Sequence, residues 1–435
     1  MSRVLPLVLI VSFVASCGLP GRLARLSDDH GVLPALEGYD DARAVDGYPN
    51  PYFQERFDRA MVQLAERPLP PDGRHDFNIL VLSSGGVNGS FGAGVLTGWS
   101  ERGDRPEFDM VTGVSVGSLL APFAYVGEAF DHRLEDLFRR FERQDIHREK
   151  GIIRGAIWGE SLLDNAPLAA RIERAVDHEL MAAMARRHAE GSRCFIGSTN
   201  LDNGQFVIWD LGQIATRGTD EALQMIRRAM RASVSIPVVY PPVRFGEGED
   251  DELHVDGAVM RPMFLPQGVV DARRSCELAG VKPENFDSTM YVVHNGSLLP
   301  RPVQVDRQTL DIAIQTVNLM SYTMVAEDIL HLYVVSQVWG ADFRFLTLPD
   351  GLELSVTEFS SDDTERLFLL GRSMMDQNAS WADTPPGYIV NEDLTNLSPS
   401  GILDRESQHL IEDLERLEAE LRQVRRALEG ARGSD

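Results

Sequence analysis

Two apolar segments of the chain each lead directly into a glycine-rich turn. The first, Asn78-Ile-Leu-Val-Leu-Ser83, precedes glycines that begin at Gly85, and the second, Phe108-Asp-Met-Val-Thr112, precedes Gly113. Continuous apolar runs of this length are typical of strands buried on both faces, as in parallel sheets. Helix-like sequence follows each turn. Strand–turn–helix units repeated in this way predict an α/β domain.

Other segments extend the same pattern. Further strands are predicted at residues 194–197, 206–209 and 291–294, and helices at residues 54–66, 91–99, 220–232, 308–339 and 363–378. The chain has 435 residues, 43% of them hydrophobic, so it can bury one large domain or two of ordinary size.

The pentapeptide Gly113-Val-Ser-Val-Gly117 lies between a predicted strand and a predicted helix. A serine at such a sharp turn projects its hydroxyl clear of the sheet, and the flanking glycines relieve backbone crowding. The N-terminus of the helix also places the positive end of the helix dipole near the oxyanion that forms when the serine attacks a carbonyl group. A GxSxG alone occurs by chance in many sequences, but this context favours Ser115 as a nucleophile.

Two further motifs are weaker taken singly. Ser84-Gly-Gly-Val-Asn-Gly89 follows the first strand, and consecutive glycines there can aim backbone amides at one point as an oxyanion hole. A phosphate-binding loop or a plain tight turn is the alternative, although the lack of GK[ST] excludes a Walker-type loop. Asp256-Gly257-Ala258 is, by itself, a common turn sequence.

In this order, the three motifs resemble those of the patatin-like phospholipase family. The resemblance covers about residues 77–390, and further segments that fit it are 84–96, 161–167, 197–204, 207–210 and 232–243. It implies a three-layer α/β sandwich with a central, mostly parallel sheet. It also implies a serine acyl hydrolase that cleaves lipid ester bonds, acting on membrane lipids or lipid esters.

The resemblance assigns a role to each motif. It makes Ser115 the nucleophile of a Ser-Asp dyad, with an acyl-enzyme intermediate, and Asp256 the general base. The sharp turn that carries Ser115 is the nucleophile elbow of the family, and its glycines are Gly113 and Gly117. The DG[AG] motif continues from Asp256 with Gly257 and Ala258. The oxyanion donors are the backbone amides of Gly85, Gly86 and Val87. No metal and no organic cofactor are implied.

Two positions depart from the family pattern. The loop usually begins with glycine where Ser84 stands, and it usually has Lys or Arg where Asn88 stands. Backbone donors survive both changes, because neither side chain supplies the hydrogen bond. The lost cation reduces the charge available for oxyanion stabilisation or for phosphate recognition, so these changes bear on the level of activity.

Two other interpretations stay open on the sequence. One is a Ser-His-Asp esterase of a different α/β fold, with His254, His294 or His331 as the base. The other is an envelope lipoprotein that uses this fold for binding without catalysis.

The first residues have the composition of a secretory signal peptide. Arg3 precedes an apolar run over residues 4–15, which is too short for a membrane-spanning helix of about 20 residues. Val14-Ala-Ser-Cys17 resembles the lipobox of bacterial lipoproteins, whose cysteine is lipidated; an ordinary signal peptide is the alternative. Gly18 after the cysteine implies sorting to the outer membrane in Gram-negative relatives. We therefore predict a lipid-anchored protein of the bacterial cell envelope, on the outer membrane and facing the periplasm.

The net charge of −24 argues against sequence-independent nucleic-acid binding, which requires Lys and Arg to neutralise phosphates. It also disfavours attraction to anionic lipid heads, so membrane contact needs another cause, such as the acyl chains of a lipidated cysteine. A Cys194–Cys276 disulfide is compatible with an oxidising compartment but is not established by sequence.

The predicted organisation has five parts: a signal peptide at 1–16, a tether at 17–76, a patatin-like catalytic core at 77–270, the C-terminal part of the same unit at 271–392, and an amphipathic helix at 393–435. In the last part, apolar residues alternate at spacings of four and three from Leu403 to Leu428. This heptad pattern is compatible with a homodimeric coiled coil or with docking on the main domain.

Overall fold

The computed structural model describes residues 31–68, 73–149, 161, 163–247, 251–266, 268–282, 285–300, 304–305, 307, 309–352, 354, 359–376 and 381–386. A compact unit ends at Pro385. The predicted signal peptide, Cys17 and the heptad helix of residues 393–435 lie outside the described residues.

The strands are, in chain order, β1 (Arg43–Val45), β2 (His75–Leu82), β3 (Met110–Val114), β4 (Arg148–Glu149), β5 (Leu163–Asp164), β6 (Arg193–Asn200), β7 (Gln205–Asp210), β8 (Val243–Phe245), β9 (Glu252–Asp256), β10 (Phe286–His294) and β11 (Asp342–Thr347). The α-helices are α1 (Pro51–Glu66), α2 (Gly89–Arg102), α3 (Val116–Val126), α4 (Asp131–Phe138), α5 (Arg143–Ile146), α6 (Ala166–Ala175), α7 (His178–Ala189), α8 (Leu211–Ala215), α9 (Asp220–Ser233), α10 (Ala272–Ala279), α11 (Thr309–Trp339) and α12 (Ser361–Asp376). Every strand and helix predicted above within the described residues is present, with somewhat different bounds. Among the described helices, α11 included, none combines the length and the hydropathy of a membrane-crossing segment.

One large sheet has the strand order β1-β7-β6-β3-β2-β10-β11. The five strands from β6 to β11 in that order run parallel, as the apolar runs predict. At the other side β7 pairs with β6 and β1 pairs with β7, both antiparallel. The predicted α/β class with a mostly parallel central sheet and flanking helices is confirmed.

Both faces of the sheet are covered. Along β2, Leu80 and Leu82 belong to the main hydrophobic cluster on one face. Ile79 and Val81 point to the opposite face because side chains alternate along a strand, and they are equally buried. The continuous apolar run of this strand is therefore explained by helices packed on both sides.

The antiparallel strand β9 ends next to the carboxyl end of β3, along one edge of β6. Strand β3 pairs with one edge of β6 and ends at Val114, which lies opposite Gly197 of β6. From Ser198, which pairs with Asp256, the partner on β6 is β9. Since β7 occupies the other edge of β6 over the same residues, β9 takes over the edge that β3 leaves.

Residues 31–68 are folded onto this body, which corrects the prediction of a tether over that part of residues 17–76. Strand β1 extends the sheet beside β7, and Arg43 is buried with its Nη1 2.5 Å from Glu252 Oε2 on β9. The Asn50-Pro51 pair starts a helix: Asn50 Oδ1 accepts hydrogen bonds from the first turn of α1, where proline at the first position is tolerated.

The buried Arg43–Glu252 pair yields a prediction about the N-terminal segment. Arg43→Met or Glu252→Gln leaves the other buried charge with a weaker neighbour, His254 beside Glu252 or Asp40 beside Arg43. The loss of the pair should cost up to about 3–5 kcal/mol of the free energy of unfolding. The double variant should lose less than the sum of the two single losses. Urea denaturation followed by circular dichroism measures all three.

The exposed pair Arg59–Glu55 on α1 provides the matched control. Arg59→Met should cost less than about 1 kcal/mol, as is usual for surface ion pairs. An Arg43→Met protein as stable as the Arg59→Met protein would mean that the N-terminal segment contributes little to the fold.

Candidate active site

Ser115 occupies the turn between β3 and α3 in a backbone conformation that side chains rarely adopt. Its φ is 54° and its ψ is −125°. Such a conformation costs free energy and persists only where the surroundings impose it. Here the Ser115 amide donates to Ser233 Oγ at 3.0 Å, and that hydroxyl donates to the Gly197 carbonyl at 2.6 Å. The serine is thus fixed between β6 and the end of α9.

The two elbow glycines are required by close backbone approach. A Cβ on Gly113 would lie 2.3 Å from the Gly117 carbonyl oxygen, and a Cβ on Gly117 would lie 2.2 Å from the Leu82 carbonyl oxygen. Both distances are far below van der Waals contact, and backbone atoms have little room to move. The structure therefore brings Gly113, Ser115 and Gly117 together as the elbow that the motif predicts.

Asp256 and Ser115 are in direct contact although 141 positions separate them. Ser115 Oγ donates to Asp256 Oδ2 at 2.6 Å, and Ala258 donates its amide to Asp256 Oδ1 at 2.8 Å. Asp256 is the last residue of β9, and Ser115 follows the last residue of β3. Because β9 takes over the edge of β6 that β3 leaves, the two side chains meet there. Gly257 allows this approach, since a Cβ would lie 2.6 Å from the Gly197 carbonyl oxygen.

Burial changes the acidity of this carboxyl group. Removal from water raises the pKa of Asp256 to about 7, against smaller lowering effects of the hydrogen bonds from Ser115 and the Ala258 amide. Both Ser115 and Asp256 are almost fully buried. A carboxylate with a pKa near neutrality is a much better proton acceptor than an ordinary aspartate, and about half of it is ionised at pH 7.

The glycine-rich turn lies beside the elbow. Gly86 and Val87 line the same cavity as Ser115. They begin a 3₁₀ turn, and in the described part of the chain their amides donate to no other group. Gly85 is not among the residues that line the cavity. A Cβ at Gly85 would lie 2.0 Å from the Asn295 carbonyl oxygen, so its observed role is to let two backbone segments approach.

The turn is held by neighbouring strands. Asn295, directly after β10, donates its amide to Ser83 Oγ at 2.8 Å and its Nδ2 to the Ser83 carbonyl at 2.9 Å. Ser84 donates its amide to the Pro262 carbonyl at 2.8 Å, which links the turn to the segment after Asp256. Asn88, one of the two departures from the family pattern, is buried, and its Oδ1 accepts from the Leu354 amide at 2.7 Å.

The three histidines considered as alternative bases have other surroundings. His254 Nδ1 lies 2.9 Å from Ser198 Oγ, and its Nε2 lies 3.1 Å from Glu252 Oε2. His294 Nδ1 lies 2.9 Å from Ser83 Oγ. Burial lowers the pKa of both, that of His294 to about 4. His331 is on α11. The hydrogen bond that Ser115 Oγ donates goes to Asp256.

The cavity beside Ser115 is mostly apolar. Its walls include residues from α3, α4 and α6 and from the segments that follow α4 and α9, among them Leu119, Leu137, Phe138, Phe141, Leu168 and Ile236. Its volume of about 60 Å³ holds a few water molecules, so a fatty acyl chain requires these side chains to move apart. Within the described ranges, no group of three His, Cys, Asp or Glu side chains is arranged to hold a metal ion. Cys194 and Cys276 are both free.

Several residues of the site carried no signal strong enough to assign a role from the sequence. Ser233 lies in a serine- and proline-containing segment, but nothing there indicates that it binds the Ser115 amide. Asn295 follows a predicted strand, and the carboxyl ends of parallel strands are where ligands bind in such sheets. That rule was the available signal for Asn295, and it does not specify which neighbouring loop the side chain holds.

Comparison with known proteins agrees with this geometry. Residues 80–267 match the family model described as patatin-like phospholipase. The chain contains a patatin-like phospholipase domain. The matched range includes the glycine-rich turn, the elbow and Asp256, and in general terms a domain of this family is a lipid acyl hydrolase.

Two other comparisons add little. The crystal structure of VipD from Legionella pneumophila is similar at 12% sequence identity, covering 71% of this chain and 69% of that chain, with a TM-score of 0.34. A likeness at that TM-score carries no argument about function. Among curated proteins, no sequence matches the chain significantly.

The raised pKa of Asp256 predicts how stability depends on pH. The folded protein holds this proton up to about pH 7, whereas the unfolded chain releases it near pH 4. Proton binding by Asp256 therefore stabilises the folded protein fully below about pH 4, and this contribution is lost as pH rises toward 7. A shift of about three units corresponds to about 4 kcal/mol.

Asp256→Asn should remove this loss, so the free energy of unfolding of the variant relative to wild type should increase between pH 4 and pH 7. Urea titrations of both proteins across that range measure the difference. Burial also raises the pKa of Asp328 to about 7, but this group is present in both proteins and cancels. Parallel stability curves for the two proteins would contradict the prediction.

Proposed function

We propose that this protein is a serine lipid acyl hydrolase of phospholipase A type, with Ser115 as nucleophile and Asp256 as general base. The observation that carries the proposal is the 2.6 Å hydrogen bond from Ser115 Oγ to Asp256 Oδ2 inside a site shielded from water. The raised pKa of Asp256 supports it, because general bases work best with pKa values near the operating pH.

In the acylation step, Ser115 Oγ attacks the acyl carbonyl while its proton passes to Asp256. The new Oγ–C bond produces a tetrahedral oxyanion. When the intermediate collapses, the ester C–O bond breaks and the leaving alcohol takes the proton from Asp256. An acyl-Ser115 ester remains on the enzyme.

Deacylation repeats the sequence with water. Asp256 accepts a proton as the water oxygen attacks the acyl-Ser115 carbonyl, and the proton then returns to Ser115 Oγ as the fatty acid leaves. Protons and electron pairs balance over the two steps, and the residues named supply all the proton transfers.

The oxyanion is stabilised by backbone amides of the glycine-rich turn. Gly86 and Val87 are the best supported donors, since they border the cavity beside Ser115 and their amides donate to no other group in the described part of the chain. Gly85 belongs to the same proposal on its place in the motif. Removing one such donor typically costs about 3–4 kcal/mol of transition-state stabilisation in other hydrolases. The apolar walls of the cavity suit a fatty acyl chain.

The function is tested by lipid-product mass spectrometry on the wild-type protein and on Ser115→Ala and Asp256→Ala. Both variants should lower the rate of fatty-acid release from lipid esters by at least about 10³-fold, because nucleophile and base act as a unit. Ser100→Ala is the matched control, since its hydroxyl donates to the Leu96 carbonyl within α2. It should keep the wild-type rate.

A fluorophosphonate probe gives a second readout. It should label wild-type protein and leave Ser115→Ala unlabelled. A folded wild-type protein that neither takes the label nor releases fatty acid from any lipid ester would favour the non-catalytic lipoprotein. A loss as large as that of Ser115→Ala in His254→Ala, His294→Ala or His331→Ala, with the fold intact, would favour a triad.

We further propose that the protein is a lipoprotein, anchored through lipidated Cys17 to the outer membrane and facing the periplasm. The support is the Val14-Ala-Ser-Cys17 sequence after an apolar run. Several acyl chains on one cysteine, at about 0.8 kcal/mol per buried CH₂, outweigh the repulsion of an acidic protein from anionic lipids.

Cell fractionation tests the anchor. Cys17→Ala should move most of the protein out of the membrane fraction, while Cys276→Ala, a cysteine within the folded body, should leave it there. Membrane association that survives Cys17→Ala would refute lipidation at this residue as the means of attachment.

A further inference from the structure

One residue with a formal charge lines the cavity beside Ser115. Of the residues that line it, Arg171 on α6 carries a charge and the others are glycine, apolar residues, Ser115 and Tyr240. A guanidinium in an apolar wall is unusual, because a half-buried cation loses part of its hydration. The presence of Arg171 in the wall of the cavity that Ser115 also lines therefore needs a physical reason.

Part of that reason is structural. Nη2 of Arg171 donates to the carbonyls of Asp136 and Leu137, at 3.2 and 2.6 Å, close to the C-terminal end of α4. The guanidinium also lies 5.5 Å from the ring centroid of Phe141. These contacts hold the planar group in one orientation. They use one of its three nitrogens, and within the described residues Nε and Nη1 donate to no protein group.

The charge itself has no counterion in contact. In the part of the chain that the structure describes, no carboxylate forms an ion pair with Arg171. Burial lowers the pKa of Arg171; the carboxylate of Asp145 raises it, Arg174 lowers it further, and Asp136 has a smaller raising effect. An oriented cation with free donors and no bonded anion is an arrangement that an oxyanion can complete.

We propose that Arg171 is the subsite for the phosphodiester group of a glycerophospholipid whose acyl ester lies at Ser115. The proposal rests on the proposed function and names its substrate class. A glycerophospholipid carries the ester and the phosphate a few bonds apart, and one cavity contains both Ser115 and Arg171. The fork of Nε and Nη1 suits two phosphate oxygens.

A second anion could bind Arg171 in the same way, namely the carboxylate of the released fatty acid. The two anions predict different measurements. A phosphodiester subsite changes the choice between phospholipid and neutral lipid, whereas a carboxylate subsite changes product inhibition and leaves that choice alone.

The test compares phosphatidylglycerol with diacylglycerol of the same acyl chains, each diluted in micelles of a neutral detergent. Arg171→Gln should lower the ratio of kcat/KM for phosphatidylglycerol to kcat/KM for diacylglycerol by about 30-fold, or about 2 kcal/mol. Arg171→Lys, which keeps the charge and loses the fork, should lower the ratio by less. Arg174→Gln on the exposed side of the same helix removes one charge as well, and it should leave the ratio unchanged.

Three results would overturn the proposal. The first is a ratio that stays constant in Arg171→Gln and Arg171→Lys although both fold, whether or not the two activities fall together. The second is an equal fall of the ratio in Arg174→Gln, which would indicate general surface electrostatics. The third is weaker inhibition by oleate in Arg171→Gln without a change of ratio, which assigns the arginine to the product carboxylate.

A binding measurement separates this proposal from the proposed function. Ser115→Ala protein is titrated with micelles of an ether-linked phosphatidylglycerol, which has no ester to cleave, with and without Arg171→Gln. About 30-fold weaker binding with Arg171→Gln supports the subsite even if the wild-type protein hydrolyses neither lipid. Equal binding refutes it even if hydrolysis through Ser115 is established.

Discussion

The hydrogen bond between Ser115 and Asp256 depends on a change of partner along one edge of β6. Strand β3 pairs with that edge as far as Gly197, and β9 continues from Ser198 in the antiparallel direction. Ser115, the residue after β3, and Asp256, the last residue of β9, therefore lie side by side. A shift of the β9 register by one residue would turn Asp256 to the other face of the sheet, because side chains alternate along a strand.

Burial around this hydrogen bond has chemical as well as structural consequences. The site excludes water from Asp256, and loss of hydration raises the pKa of its carboxyl toward neutrality. In the same dry environment, several neighbouring polar groups bind protein partners, although Asn295 Oδ1 has none among the described residues. Ser233, Asn295 and the Ala258 amide supply the bonds that hold the elbow, the glycine-rich turn and the carboxylate. Arg171 differs from these groups, because it lines the cavity and its Nε and Nη1 have no partner among the described residues.

Local patterns predicted a good part of the fold. Apolar runs identified β2, β3 and the segments of β6, β7 and β10, since a strand buried on both faces contains few polar residues. They did not identify the short strands β1, β4, β5, β8 and β9, which are two to five residues long and depend on a partner strand for their conformation. The six-residue strand β11 was not predicted either. The N-terminal segment was expected to be a tether because it is rich in Gly, Pro and Asp. Its Arg43 is buried against Glu252, more than two hundred positions away, and no local pattern records such a contact.

The sequence by itself determined which residues have the chemistry for acyl transfer. It contains a serine at a strand-to-helix turn, glycines where backbones approach closely, and an Asp-Gly pair in the order of one family. The tertiary structure decided that Ser115 and Asp256 touch and that the carboxyl of Asp256 is buried. It also decided that Gly85 allows two backbone segments to approach, and that Arg171 lines the same cavity as Ser115. These facts depend on strand pairing and on exclusion of water between segments far apart in the chain, and both arise from the packing of the whole sheet.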